Sequence, residues 1–412
     1  MPNGPTAPSK GSINVFFRTF SKMPAPQHCD VLIAGGGPAG LSVAECLPEH
    51  LSKVVLHQDR EIGMPVRTSG GTWVRDMERL GVPPHLYHVI NEIEFRSDNA
   101  QSLHRLSDWK MAVLDITGLY RWIAERAEAN GAEILTGTKF LTAEERGGGY
   151  LCTARARDGS TAQFQAQYVI DATGTQSAVL SSLGLGRKPE RIGVGIEYDY
   201  AMPGGVSDRA VLIVGSQALT GYGWIFPAPN NTLRIGVGVI QPDTDVSPRD
   251  LISELITPEV LDSYGLELGE RIKVNAGVIP SVAYENRLVY GNVIRTGDAA
   301  NFATPTVGEG IRQAIGHGRI LGGALGRTIA TGKRAPLKAY ERNARKRFAR
   351  DYRYGFMTNR RMADYTVADW DKSVRRVARL SEAEMAALVR SEFSPPKLLR
   401  TAAKQVWHKL RR

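Results

Sequence analysis

Three glycines near the start of the chain have the spacing of a phosphate-binding turn. Gly35, Gly37 and Gly40 form a GxGxxG string. Residues 30–34, directly before it, predict a β-strand, and the apolar spacing over 41–47 predicts a helix. Glycines at such a turn let backbone N–H groups approach a pyrophosphate, and the N-terminus of the following helix adds a favourable dipole. This order of strand, turn and helix predicts a Rossmann-type dinucleotide-binding unit rather than a purely structural turn.

The next predicted strand, 53–56, brings a polar residue to the place where the ribose is usually bound. An acidic residue at the end of this strand commonly binds the adenosine ribose. Gln58 occupies that place here, with Asp59 next to it, so the hydrogen bond would lack charge assistance. We predict cofactor contacts from Gln58 and from Ala39, which lies within the glycine turn.

Two later strings point to the kind of dinucleotide. Residues 168–174 read YVIDATG, a buried strand that ends in an aspartate and a glycine turn. Residues 293–312 contain GDAA and GEGI, in which Asp298 can accept a hydrogen bond from a ribityl hydroxyl and the glycine turn can open a helix towards a pyrophosphate. In this order, the three strings resemble FAD-dependent oxidoreductases built like aromatic hydroxylases. The resemblance implies FAD, with contacts from Asp298, Gly308, Gly310 and Ile311.

A string of aromatic residues narrows the resemblance. Residues 221–238 read GYGWIFPAPNNTLRIGVG, which resembles the YxWxFP…GxG signature of the geranylgeranyl reductase family. Because side chains alternate along a strand, three of these rings should share one face. They would form the apolar wall of a prenyl-sized pocket, although a plain sheet core is the alternative. The predicted pocket residues are Tyr222, Trp224, Phe226 and Pro227.

Residues 65–71 read PVRTSGG and resemble the PVRC-type segment that lies near the flavin in this family. The resemblance implies cofactor contacts from Arg67, Thr68, Ser69 and Gly71. Thr68 stands where family members often have a cysteine. A hydroxyl is a far weaker acid than a thiol, so this departure argues against cysteine-based chemistry.

The resemblance covers roughly residues 29–330, and it implies hydride transfer from reduced FAD to a carbon–carbon double bond of an isoprenoid chain. Alternatives are a flavin monooxygenase, epoxidase or halogenase-like enzyme on an apolar substrate, a redox-neutral cyclase, and a non-catalytic prenyl-lipid carrier. No second GxGxxG follows a strand, so NADPH and a ferredoxin-type protein both stay open as electron donors. His85 and His88 lie in a proline-flanked loop without an acidic partner, so we expect no metal site.

The predicted fold class is α/β, with a discontinuous Rossmann-type FAD domain, an antiparallel-sheet substrate domain and a helical C-terminal region. Alternating apolar residues predict strands at 193–200, 210–214 and 233–240. Five glycines between 316 and 326 predict a helix packed closely on the FAD domain. The predicted segments are 1–28 (disordered or a leader), 29–80, 111–185 and 286–330 (FAD domain), 81–110 and 186–285 (substrate domain), and 331–412 (basic helices, including 381–389).

Charge is concentrated at the C-terminal end of the 412-residue chain. The net charge is +10, and residues 331–412 contain 22 lysines and arginines against 8 aspartates and glutamates. On a helical projection, 396–412 has Trp407 and aliphatic residues on one face and basic residues on the other, which is typical of a helix at a lipid interface. We therefore predict a membrane surface as a partner, and no nucleic acid. A helix packed on its own domain is the alternative.

Composition sets the remaining expectations. The chain has no run of 18 uncharged apolar residues, so the sequence predicts no membrane-spanning helix. Three scattered cysteines without a CxxC pair fit a reducing compartment. We expect a cytoplasmic protein that binds peripherally to a membrane, with organelle import through 1–28 as an open alternative.

Overall fold

We describe residues 25–392 of a computed structural model of the chain. Most of the predicted leader and the whole predicted lipid-interface segment, 396–412, lie outside the described residues. The first strand already begins at Gln27, within the segment predicted to be a leader, because its first residues pair with 164–166 of a neighbouring strand.

Within residues 25–392 the structure has eighteen strands and ten α-helices. The strands are β1 (Gln27–Ala34), β2 (Lys53–Leu56), β3 (Gly71–Trp73), β4 (Tyr87–Ile90), β5 (Glu92–Arg96), β6 (Gln101–Arg105), β7 (Met111–Leu114), β8 (Ala132–Leu135), β9 (Thr138–Arg146), β10 (Gly149–Ala156), β11 (Thr161–Asp171), β12 (Ile192–Ala201), β13 (Arg209–Ile213), β14 (Tyr222–Ala228), β15 (Thr232–Gln241), β16 (Arg271–Pro280), β17 (Val289–Tyr290) and β18 (Val293–Arg295). The α-helices are α1 (Pro38–Cys46), α2 (Val74–Arg79), α3 (Ile116–Ala129), α4 (Ala178–Ser182), α5 (Pro248–Leu255), α6 (Pro258–Ser263), α7 (Ile311–Thr331), α8 (Ala335–Met362), α9 (Val367–Val377) and α10 (Glu382–Val389).

A parallel sheet forms the predicted cofactor domain. Strands β18, β11, β1, β2 and β8 lie side by side in this order, all parallel, and the hairpin β9–β10 joins the N-terminal part of β11 antiparallel. Val31, Leu32 and Ile33 are fully buried, as is typical of parallel strands covered on both faces. The predicted α/β class with a Rossmann-type unit is confirmed, and β2 has the predicted bounds.

Glycines on α7 allow this helix to lie directly on α1, as the sequence predicts. A Cβ added to Gly318 would lie 2.6 Å from the Ala39 carbonyl oxygen, and one on Gly322 would lie 2.6 Å from that of Val43. Such distances are too short for any side chain, so the two helix backbones need glycine at these positions. The close approach fixes α1, and thereby the glycine turn at its N-terminus, against the centre of the domain.

A seven-stranded sheet forms the predicted substrate domain. Its order is β16, β12, β15, β14, β13, β5 and β6, and every pair is antiparallel except β13–β5. The three strands predicted from alternation correspond to β12, β13 and β15, with ends that differ by one residue. The sheet places the aromatic strand β14 at its centre, where both neighbours are hydrogen-bonded to it.

The chain enters the seven-stranded sheet at β5, after the predicted boundary at residue 81. Residues 87–90 (β4) pair with 111–114 (β7), which also pair with 71–73 (β3), in a separate three-stranded sheet. The predicted substrate segment 81–110 therefore joins the seven-stranded sheet only at β5. The sequence did not show this, because strand partners are set by contacts between distant residues.

The C-terminal helices are divided between the two domains. Helix α8 packs on α7, and its Phe348 contacts Phe302 and His317 in an aromatic cluster. Helices α9 and α10 instead cover the seven-stranded sheet: Asp371 accepts hydrogen bonds from Ser97 Oγ (2.7 Å) and the Asn99 N–H (3.0 Å). Within the described part of the chain, no helix combines the length and apolarity needed to cross a bilayer.

Candidate active site

A cleft of about 680 Å³ lies at the carboxyl ends of the parallel strands. The turns after β1, β2 and β11 line it, together with the N-terminal end of α7. In open parallel sheets, ligands bind at this edge because the loops after neighbouring strands diverge there. The volume falls within the usual range of about 300–1,000 Å³ for ligand pockets.

The glycine turn leaves its backbone open to the cleft. Gly35 has φ +118°, and a Cβ there would lie 2.1 Å from the Ala172 carbonyl oxygen. A Cβ on Gly40 would lie 2.0 Å from the Gly35 carbonyl oxygen, whereas one on Gly37 would meet nothing within 4 Å. Gly37 is the N-cap of α1 and supplies no side-chain cap, so the first N–H groups of the helix are available to a ligand. This cradle fits a pyrophosphate, as FAD binding requires.

Most of the predicted cofactor residues lie on this cleft, although they come from distant segments. Gly40 is buried beneath the turn and packs on Gly35 rather than lining the cleft. Ser69 and Gly71 line neighbouring cavities instead, because the chain turns away after Thr68. The predicted residues that line the cleft are Gly35, Gly37, Ala39, Gln58, Arg67, Thr68, Asp298, Gly308, Gly310 and Ile311.

An ion pair determines which polar group is available after β2. The Arg67 guanidinium donates two hydrogen bonds to Asp59, at 2.7 and 3.0 Å. The Asp59 carboxylate is therefore engaged, and Gln58 presents an uncharged amide to the cleft beside it. The arrangement also fixes Arg67, whose carbonyl oxygen lies against Gly277 of β16.

The Asp298 carboxyl group can accept a hydrogen bond from a ligand. Its carboxyl group lines the cleft and makes no side-chain hydrogen bond or ion pair to any residue between 25 and 392. Burial raises its pKa to about 6. A half-buried carboxyl group without a hydrogen-bond donor is costly, and a ligand hydroxyl at this place would remove the cost. The site thus fits the ribityl chain of FAD.

Several cleft residues were missed by the sequence reasoning. His57 lies under Gly36 and hydrogen-bonds the Glu61 carbonyl oxygen at 3.1 Å, and burial lowers its pKa. Lys139 and Phe140, at the start of β9, form one wall of the cleft. His57 directly precedes Gln58 and could have been included on position alone. The β9 residues carry no local signal, since only the pairing of β8 with β2 brings them near.

A second cavity of about 270 Å³ lies between the seven-stranded sheet and the C-terminal helices. The lining is mostly apolar and includes Phe95, Leu212 and Trp224. Helices α9 and α10 close one side through residues such as Val374 and Leu388. This contribution of the C-terminal region was not predicted, because the region carried only a helical and basic signal.

The two glycines of the GxG pair on β15 have different surroundings. Trp224 pairs with Gly236 across the strands β14 and β15, and a Cβ on Gly236 would lie 2.3 Å from Trp224 Cζ2. A Cβ on Gly238 would lie 3.6 Å from Trp224 Cζ3, an ordinary contact. The indole therefore lies flat on the backbone of β15 because Gly236 has no side chain.

The aromatic string is divided between cavities. The Tyr222 and Trp224 ring centroids are 5.6 Å apart, and both residues line the second cavity. Phe226 continues the row at 6.4 Å but lines a smaller, third cavity of about 50 Å³ next to Gly71. Pro227 lines none of the three cavities, since its place in the strand alternation turns it to the other face. The structure thus corrects the predicted pocket: Phe226 lies at its margin and Pro227 outside it.

The three cavities meet at two residues. Thr68 and Gly308 line all of them, so the cofactor cleft and the apolar cavity adjoin at this place. Tyr222 stabilises the junction, because its hydroxyl donates to the Val307 carbonyl oxygen at 2.6 Å. A group that reacts at the end of the cleft would face the apolar cavity.

A buried charge network holds the second glycine turn. Glu309 accepts hydrogen bonds from Thr72 Oγ1 (2.9 Å) and Arg312 Nε (2.7 Å). Burial lowers the pKa of Arg312, but the carboxylates of Glu309 and Asp76 outweigh this effect and raise it. Arg390, after α10, is bonded to Asp76 beside them. The network fixes the turn at 308–311 and connects it to the helices that close the apolar cavity.

Together these features define an FAD-dependent oxidoreductase. The model of the FAD binding domain family matches residues 28–352, and the chain belongs to this family. More particularly, the chain is similar to reductases of the geranylgeranyl type. Digeranylgeranylglycerophospholipid reductase 3 of Methanosphaera stadtmanae is 27% identical over 319 residues, which cover 74% of this chain and 78% of that protein. The digeranylgeranylglycerophospholipid reductase of Methanothrix thermoacetophila is 26% identical over 332 residues, which cover 77% and 83%.

Solved structures show the same fold. A geranylgeranyl bacteriochlorophyll reductase-like protein from Thermoplasma acidophilum superimposes with a TM-score of 0.78 at 19% identity, over 92% of this chain and 96% of that one. The p-nitrophenol 4-monooxygenase of Pseudomonas putida superimposes with a TM-score of 0.69 at 18% identity, over 90% and 98%. The fold is therefore shared by proteins named as reductases and as monooxygenases, and the residues of the site must distinguish between the two reactions.

Proposed function

We propose that this protein saturates carbon–carbon double bonds in an isoprenoid chain of the geranylgeranyl type, with reduced FAD as the hydride source. The observation that carries the proposal is the junction at Thr68 and Gly308, where a cleft fitted to FAD adjoins a cavity lined by apolar residues. The names of the two archaeal relatives support the substrate class, since both are reductases of digeranylgeranyl lipids.

The residues of the chain provide binding, orientation and exclusion of water. The glycine turn and Asp298 bind the cofactor, and when bound FAD supplies the hydride chemistry. Tyr222 and Trp224 present two rings to the second cavity, so an alkene chain lies against rigid apolar surfaces. Burial of such a chain contributes about 0.8 kcal/mol for each CH₂, which favours a long prenyl group over a small polar substrate.

A long prenyl substrate resides in a membrane or in a carrier. We infer that the basic amphipathic segment 396–412 binds an anionic membrane surface, since each lysine or arginine near such a surface adds roughly 1 kcal/mol of attraction. The electron donor is proposed only by class, as NADPH or a ferredoxin-type protein.

The test is an anaerobic single turnover. The purified flavoprotein is reduced with dithionite and mixed with a digeranylgeranyl glycerophospholipid in detergent, and flavin reoxidation and product mass are followed. Saturation predicts reoxidation without oxygen and a product heavier by two hydrogen atoms for each bond reduced. A product that contains an added oxygen atom, formed only in air, would identify a monooxygenase. Unchanged product mass with catalytic amounts of reduced flavin would identify a cyclase, and a colourless protein with bound lipid would identify a carrier.

A further inference from the structure

One acidic side chain lies in the wall of the apolar cavity. Glu197, on β12, lines the cavity and is only 3% exposed. Among the described residues of the lining it is the one carboxyl group, and the other titratable side chains there are Arg67 and Tyr222. Burial of a carboxyl group in an apolar pocket costs free energy unless the group has a hydrogen-bond or charge partner. Such a group in a pocket is therefore a candidate for a functional residue.

Hydrogen bonds orient the carboxyl group. Trp224 Nε1–H donates to Oε2 at 2.8 Å, and Asn275 Nδ2–H donates to Oε1 at 3.0 Å. Each oxygen keeps a second lone pair, so a protonated Glu197 can hold both donors and still present an O–H to the cavity. The aromatic residue that forms the wall of the cavity is thus also the residue that fixes the acid.

Burial favours retention of a proton on Glu197, and the nearby charges act in both directions. Glu197 and Asp199 project from the same face of β12, and Arg234 on β15 lies 3.9 Å from Glu197 Oε1 and 3.4 Å from Asp199 Oδ1. Arg234 also donates to the carbonyl oxygens of Ser69 (2.8 Å) and Leu114 (2.9 Å). Lys273, on β16, lies on the side of Asp199 and is half-buried. Burial, opposed by Arg234 and aided by Asp199, raises the pKa of Glu197 to about 7.

The proposed reaction needs a proton donor in the apolar cavity. Hydride addition to one alkene carbon must be matched by a proton on the other, and the Thr68 hydroxyl at the junction is too weak an acid to supply it. The Tyr222 hydroxyl donates to Val307, and burial raises its pKa further. A carboxyl group that titrates near neutral pH is suited to general acid catalysis.

We propose that Glu197 is a catalytic residue that donates the proton in alkene saturation, an inference that rests on the proposed function. In this step the π bond breaks, one carbon receives hydride from the two-electron-reduced flavin, and the other carbon receives the proton from the Glu197 O–H. Two new C–H bonds form, the flavin is oxidised and the alkene is reduced. The Glu197 carboxylate then takes a proton from water.

The first experiment needs neither substrate nor turnover. Ionisation of Glu197 strengthens its hydrogen bond with the Trp224 indole, so tryptophan absorption should change as the acid titrates. We expect the ultraviolet spectrum of the wild-type protein, minus that of Glu197→Gln, to show one transition near pH 7 between about pH 5 and pH 9. A flat difference spectrum over this range would show that Glu197 does not change its charge there, which would overturn the proposal.

The second experiment measures the proton transfer. In the anaerobic turnover described above, Glu197→Gln should reoxidise its flavin at least about 100-fold more slowly than wild type, with FAD content and dithionite reduction unchanged. Asp199→Asn is the matched control, because it removes a carboxyl group from the same cluster that does not line the cavity. This variant should retain turnover. As pH rises, its rate should begin to fall at a lower pH than the wild-type rate does, because loss of the Asp199 charge lowers the pKa of Glu197.

The outcomes separate the two proposals. Wild-type protein that saturates no prenyl lipid would refute the proposed function and, with it, the role of the acid. Saturation by wild type with an equal rate in Glu197→Gln would refute only the role of Glu197. A 100-fold loss in Asp199→Asn, with no shift of its pH profile, would show that the cluster is structural and would also overturn the proposal.

Discussion

The contrast between Gly236 and Gly238 gives a sharp test of the pocket. Both belong to the GxG pair of β15, and neither has a positive φ, so alanine is compatible with the backbone at both positions. A Cβ at 236 would lie 2.3 Å from Trp224 Cζ2, 2.4 Å from Cε2 and 2.8 Å from the Ile196 carbonyl oxygen. A Cβ at 238 has no neighbour nearer than 3.5 Å. Gly236→Ala must therefore displace the indole, and Gly238→Ala need not.

The indole cannot move without cost. Its N–H is bonded to Glu197, and the rings of Tyr222 and Phe226 lie on either side of it. Overpacking of a filled core commonly costs about 1–3 kcal/mol. We expect Gly236→Ala to lower the free energy of unfolding by that amount and to abolish most turnover on prenyl lipids, with bound FAD retained. Gly238→Ala should stay within about 0.5 kcal/mol of wild type, because its Cβ would make only ordinary contacts, at 3.5 Å or more.

Urea unfolding followed by tryptophan fluorescence measures the stability, and the anaerobic turnover assay measures the function. Flavin absorbance provides the control that the cofactor domain is intact in both variants. Equal stability and equal turnover in the two alanine variants would refute the placement of the indole on β15. Loss of FAD from Gly236→Ala would show that the two domains are coupled more tightly than the separate cavities indicate.

Three further predictions concern the pocket, the cleft and the C-terminal segment. Trp224→Ala should retain yellow FAD but lose turnover on long prenyl chains, measured by product mass, and full activity would contradict its place in the wall. Burial raises the pKa of Asp298 from 3.8 to about 6, so the folded FAD-free protein holds this proton more tightly than the unfolded chain. Its contribution to stability is therefore present below about pH 4 and lost as pH rises through 6, and Asp298→Asn should flatten this dependence in urea unfolding at a series of pH values. Deletion of 396–412 should weaken binding to anionic liposomes in a salt-dependent way in a flotation assay, whereas unchanged binding would remove the membrane proposal.

Local signals predicted the cofactor half of the molecule. The GxGxxG string, the strand before it and the helix after it all depend on residues within about ten positions, and their bounds agree with β1, α1 and β2 within a few residues. The packing of α7 could also be predicted, because repeated glycines on one helix usually allow another backbone to approach closely. Prediction from the sequence was reliable where a backbone conformation and the residue type that it requires lie at neighbouring positions in the chain.

The substrate half of the molecule was harder to predict from the sequence, for a physical reason. Tyr222 and Trp224 were found from the motif and its alternation. The motif also brought in Pro227, which alternation places on the other face of the strand and which lines none of the three cavities. Glu197 gave no signal, since a single acid in an apolar strand resembles any solvent-facing residue. Its burial depends on β14 and β16, which lie more than twenty residues away in the chain.

The two halves of the aromatic motif have a common chemical consequence. Gly236 provides the space in which the Trp224 indole lies flat, and in that position the indole N–H points at the Glu197 carboxyl group. Arg234, two residues before Gly236, then connects the same acid to the Ser69 carbonyl oxygen, one residue from the junction at Thr68. The motif that supplies an apolar wall therefore also specifies the position of an acid. Substitutions in β15 should accordingly alter the pH dependence of turnover as well as the chain length of the preferred substrate.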